Sequence, residues 1–146
     1  MGVQGQRAPD AALIPALMAE HVAVRALLEG AATAIDAGAV LDAAEALRAG
    51  RSLLLDGLDE HIRAEDEDLF PAIADGLGEQ LVSAFTEEHT RIRSLRDQLL
   101  AGLATPPAWV DVFRELAYLL GAHTTREDEM LFPAASALLA SRDDDR

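Results

Sequence analysis

Apolar residues return at three- and four-residue intervals from Leu13 almost to the end of the chain. The pattern lapses at three places, "DAGA" (36–39), "GLG" (76–78) and "GLATPP" (102–107). That period is helical, Ala, Leu, Glu and Arg are good helix formers, and strand-like alternation is absent. The breaks predict long helices over Leu13 to Ile35, Val40 to Leu69, Glu79 to Ala101 and Ala108 to Leu131, with Pro15 tolerated in the first turn. Proline disfavours helix at the residue before it. Pro71 and Pro133 therefore predict a stop after the second and fourth helices, each followed by a short helical piece. Short links between long helices make neighbours antiparallel. The expected fold is all-α, an up-down-up-down four-helix bundle over 13–140, between a disordered N-terminal segment (1–12) and an acidic C-terminal tail (141–146).

Composition narrows the chemistry. The 146 residues suit one domain, and half of them are apolar, enough for a core. A net charge of −14 makes nucleic acid and anionic membrane poor partners. The absence of Cys excludes disulfides, thiolate metal sites and iron–sulfur clusters. All twelve basic residues are arginine, which rules out Schiff-base chemistry and hints at a GC-rich bacterial genome. With no signal pattern at the N-terminus and no long apolar run, the expected location is the cytoplasm.

One string is written twice. "HIRAEDEDLFP" (61–71) returns sixty-two residues later as "HTTREDEMLFP" (123–133), with seven of eleven positions identical. A weaker echo joins "EHVAVR" (20–25) to "EEHTRIR" (87–93), so the chain reads as an internal duplication. The only four histidines, His21, His61, His89 and His123, fall one to each expected helix. At a rise of ~1.5 Å per residue, all four lie ~12–15 Å from the same end of an antiparallel bundle. Each continues its helix's apolar stripe: Leu17 and Val24 flank His21, Leu58 precedes His61, Phe85 precedes His89 and Leu120 precedes His123. Glu65 and Glu127 follow His61 and His123 by four, on the same face. Two buried carboxylates would repel and protonate unless something positive held them. Four His and two Glu are too many for one closed zinc site. They suit two metal ions bridged by the carboxylates, with iron the best fit and manganese or zinc as alternatives.

At these residues the chain resembles the hemerythrin-like, HHE cation-binding family, whose pattern of His, His-x-x-x-Glu, His, His-x-x-x-Glu falls here on His21, His61–Glu65, His89 and His123–Glu127. The trailing "LFP" strings are similar too, and the likeness spans about 13–140. It implies a non-haem di-iron centre, oxo- or hydroxo-bridged, that binds O₂, hydrogen peroxide or nitric oxide. Oxygen-carrying members have a fifth His where Arg93 stands here, and a final Asp at the spacing of Asp128. The internal match to Glu65 favours Glu127 as the last ligand, and the missing histidine favours redox turnover over oxygen carriage.

No catalytic residue beyond the metal ligands is expected. Tyr118 and Phe85 are candidates for the ligand pocket, although Tyr118 lies about 140° round the helix from His123. The "EDE" runs read mainly as solvated helix faces, Arg25 and Arg93 as surface or ion-pairing residues, and Trp109 and Phe113 as core. The leading function is a standalone di-iron redox protein, a monomer or weak dimer. A non-enzymatic oxygen- or iron-sensing module or an iron-binding one, and a purely structural bundle, are the other classes.

Overall fold

The computed structural model describes residues 12–105 and 108–144. Among them no strand occurs, and the elements are all helical: α1 (Leu13–Asp36), α2 (Val40–Ala49), α3 (Leu58–Arg63), α4 (Phe70–Leu77), α5 (Glu79–Gly102), α6 (Trp109–Arg126) and α7 (Phe132–Asp144). Three wider π turns join them, at Leu53–Gly57, Ala64–Leu69 and Glu127–Leu131. The backbone from 40 to 77 forms a second arm of the bundle after α1, α5 a third, and 109 to 144 a fourth. The tight links use glycine where the chain must reverse: Gly38 (φ 80°) after α1 and Gly78 (φ 102°) between α4 and α5 hold the left-handed backbone that side chains disfavour.

The stops expected at Pro71 and Pro133 do not occur. Phe70 and Phe132 are helical, and both arms continue through the prolines. A single residue, Phe70 or Phe132, separates each proline from a π turn. In a regular α turn the ring would meet the carbonyl four residues back and leave it without a donor. The extra residue in a π turn shifts that carbonyl aside, so helix resumes on the far side. α7 likewise carries helix to Asp144, into the stretch expected to be an acidic tail. The expected N-terminal disorder, apart from Ala12, and residues 145–146 of the tail lie outside the described residues.

α1 packs on α2 and α6, α5 on α4 and α6, and α4 on α7. The core is divided in two. One apolar cluster includes Val24, Leu47, Leu58, Ile92, Trp109 and Leu120. The other includes Leu17, Phe70, Ile73, Phe85, Leu131 and Phe132. Each fully buried Leu or Phe stabilises the fold by roughly 1.5–3 kcal/mol, which is ample to hold a polar layer between the clusters. Among the described residues no helix is long and apolar enough to cross a membrane.

Candidate metal centre

That polar layer is where the histidines meet. His21 from α1, His61 from α3, His89 from α5 and His123 from α6 are all buried, as are Glu65 and Glu127, both fully. The placement follows from the sequence pattern. Each His has members of one apolar cluster on one side along its helix and of the other cluster on the other side, as Leu17 and Val24 flank His21. The rings pair across the bundle, His21 with His61 at 4.8 Å between centroids and His89 with His123 at 4.9 Å.

Both carboxylates open off π turns and sit beneath the histidine of their own arm. Glu65 Oε1 is 3.6 Å from His61 Nε2, and Glu127 Oε1 is 3.4 Å from His123 Nε2. Each lies nearer still to a histidine of the other half: Glu65 Oε1 is 2.9 Å from His89 Nε2, and Glu127 Oε1 is 3.1 Å from His21 Nε2. Two donor groups result, His21–His61–Glu65–Glu127 and Glu65–His89–His123–Glu127, with the atoms of each within 4.8 Å of one another. π turns are frequent at functional sites because they re-aim side chains.

The opposite edge of every imidazole is clamped by a carboxylate. The Nδ1–H of His21 donates to Asp128 (2.8 Å), that of His61 to Glu20 (2.7 Å), that of His89 to Asp66 (2.9 Å) and that of His123 to Glu88 (2.7 Å). In the neutral rings these bonds keep the proton on Nδ1 and leave Nε2 facing the centre, as metal-ligating histidines require. Two clamps are themselves braced. Arg25 Nη1 lies 3.1 Å from Asp128 while its Nε donates to Thr124, and Arg126 Nη2 lies 2.6 Å from Glu88 Oε1. Phe70 and Phe132 close the layer from below, stacked on His89 and His21 at 5.7 and 5.6 Å.

Without a cation the centre is electrostatically uneasy. Burial opposes the charge of His61, but the Glu65 and Glu20 carboxylates outweigh it and raise its pKa to about 9. Burial likewise opposes charge on His89, and Asp66 and Glu65 raise it to about 9. Burial pushes Glu127 up, yet the polar contacts of Glu65, His123 and His21 hold it well below the usual carboxylate range. Both oxygens of Glu65, both of Glu127, and Nε2 of His89 and His123 are buried without a hydrogen-bond partner. Orphaned buried carboxylates beside imidazole nitrogens are what a bound cation would satisfy, and the nitrogen–oxygen donor set fits first-row divalent metals.

A cavity of about 290 Å³ borders the layer on the side of Val24, Leu58, Ile62, Ile92 and Leu120. Two expected pocket residues do not line it. Tyr118 is 80% exposed, because its position on α6 turns it away from the stripe that carries Leu116, Leu120 and His123. Phe85 is buried with its ring edge-to-face with His123 at 5.3 Å, but on the opposite side of the layer, among the second apolar cluster. Arg93 does not reach the centre. It is 40% exposed and 3.6 Å from Asp59. Sequence reading also missed the four clamps. Asp66 and Asp128, taken for part of solvated faces, turn inward, whereas Glu67 and Glu129 do point out. The signal was present in the duplication: a Glu precedes both His21 and His89, and an Asp follows both Glu65 and Glu127.

Buried imidazoles and carboxylates convergent in a helical bundle define a cation-binding helical protein. The family model of the hemerythrin HHE cation-binding domain matches residues 12–135, and the chain belongs to that family. No curated protein and no solved structure matches it.

Proposed function

We propose that the chain is a non-haem di-iron protein that binds and turns over a small oxidant or radical: O₂, hydrogen peroxide or nitric oxide. The observation that carries this reading is the pair of donor groups sharing both Glu65 and Glu127. His21 and His61 would hold one ion, His89 and His123 the other, and the two carboxylates would bridge them. The four arms then form an up-down-up-down bundle. The short links support that order, as do the contacts of Arg25 with Thr124 and of His21 with Asp128, where α1 and the fourth arm run in opposite directions.

Iron, when bound, supplies open coordination positions and a two-electron change shared between two ions. The chain's own residues do the rest. The clamped histidines keep their Nε2 atoms aimed without reorganisation, and Phe70 and Phe132 exclude water from below. The cavity leaves room for a ligand above. Six protein side chains for two ions give each fewer bonds than an octahedral ion takes, which favours turnover over storage.

The test is to load the protein with ferrous iron and expose it in turn to O₂, peroxide and nitric oxide, recording visible spectra and ligand loss. The reduced protein should form no long-lived oxygen adduct. The oxidised protein should disproportionate peroxide, or remove nitric oxide when a reductant is supplied. Glu65→Ala and Glu127→Ala should abolish both. Reversible O₂ binding for hours by a protein inert to peroxide and nitric oxide would refute the turnover reading.

A further inference from the structure

The two halves of the chain match at the metal layer and differ one turn away from it. The cavity's second-half lining, His89, Ile92, Leu120, His123 and Thr124, is buried throughout. Its exposed lining, Glu20 and Glu60, belongs to the first half, as do half-buried Leu53 and Gly57. The cavity therefore meets solvent between α1 and the second arm.

Two departures from the internal repeat fall at that opening. In the register that lays His61 on His123, Gly57 falls on Leu119, a leucine packed against the core. The π turn at Leu53–Gly57 falls on residues 115–119, which are regular helix within α6. A Cβ at Gly57 would come within 3.3 Å of Leu53 Cδ1, one turn back on the same flank of the opening, so any longer side chain must turn out into the passage. The turn is braced from behind. Arg96, buried on α5, donates from Nη1 to the Leu54 carbonyl at 3.2 Å and to Asp59 at 2.7 Å. A π turn interrupts the regular carbonyl pairing of the helix, and a guanidinium supplies the missing donor. The residue matching Arg96 in the first half is Leu28, which has no donor to give.

We propose that the Leu53–Gly57 turn, braced by Arg96, is the portal to the metal layer, and that the absent side chain at Gly57 sets its width. The chemistry of the passage selects the visitor. Two carboxylates at the mouth, Glu20 and Glu60, repel anions, and the apolar walls beyond favour a small uncharged molecule. The ligand class rests on the function proposed above, whereas the portal rests on the cavity alone.

Xenon, small, apolar and uncharged, separates the two. In the full chain loaded with diamagnetic zinc, xenon should shift the methyl resonances of Val24, Leu58, Ile62, Ile92 and Leu120. Gly57→Leu should slow that exchange by about tenfold. In the ferrous protein it should slow nitric oxide binding by a similar factor, with metal content unchanged. Leu53→Ala should speed both. Xenon exchange unaltered in Gly57→Leu would overturn the portal. If that variant fails to fold, unaltered exchange in Leu53→Ala would overturn it instead. Xenon entry governed by Gly57 in a protein inert to all three ligands would support the portal and overturn the functional reading.

Discussion

Stripping the metal should cost the fold several kilocalories, and the size of the loss follows from the layer's unpaired atoms. Among the described residues, seven buried side-chain atoms lack a hydrogen-bond partner, and six of them belong to Glu65, Glu127, His89 and His123. Leaving a buried polar group unpaired costs roughly 1–3 kcal/mol. The short His–Glu contacts offset part of that cost, so the count is by side chain and at the low end: about 4 kcal/mol in all. For a chain of this length about 1 kcal/mol moves Tm by roughly 2–4 °C, so chelation should lower Tm by about 8–16 °C. Calorimetry on chelated and reconstituted protein at neutral pH measures it. A second variant tests the cause. Glu65→Met with Glu127→Met removes the buried charges along with the metal site, and should be more stable than the metal-free wild type. A metal-free wild type within about 2 °C of the loaded protein, or a double variant less stable than it, would refute the reasoning.

The pH dependence should invert with metal. In the metal-free protein the raised pKa values of His61 and His89, about 9 against an ordinary 6.5, give stability that is complete below pH 6.5 and lost as pH climbs to about 9. The depressed Glu127 gives stability present above its ordinary 4.5 and lost as pH falls from there. Metal-free Tm should therefore peak between about pH 4.5 and 6.5. The loaded protein, which needs neutral imidazoles, should instead gain between pH 6.5 and 9 in thermal scans across that range. Glu88→Gln and Asp66→Asn should each weaken metal binding about 10–100-fold in chelator competition while the fold persists. Asp128→Ala should do the same, because it unclamps His21, where a solvated carboxylate would have been dispensable. Tyr118→Phe should leave ligand binding rates unchanged in stopped-flow measurements, since the phenol faces solvent.

The helices were legible because their burial is one-sided. Leu17, His21, Val24 and Leu28 share a stripe in the sequence and are buried together in the structure. The same periodicity brought all six candidate donors to one layer, since height along a helix is counted in residues. What it could not show was helix continuing through Pro71 and Pro133. Local propensity at a proline speaks for a break, and only the neighbouring π turn overrules it. Nor could it identify the clamps. Glu20 and Asp66 lie beside a ligand position in sequence but reach a histidine on another helix, and that depends on which arms are neighbours. The cavity was hidden for a related reason, since Gly57 reads as one weak helix position until it is set beside its counterpart Leu119, which packs against the core.

The crossed clamps also bear on ancestry. Each half owns three of the six donors, and each reaches across to complete the other: Asp66 steadies His89, and Asp128 steadies His21. A two-armed hairpin meeting an identical copy of itself would have assembled the whole set, but any change in such a gene would have struck both sides of the centre at once. Carried in one chain, the two halves are free to differ where they need not match. The donors match between the halves while Gly57 and Leu119, and Arg96 and Leu28, differ, so a centre with equal halves has a front and a back.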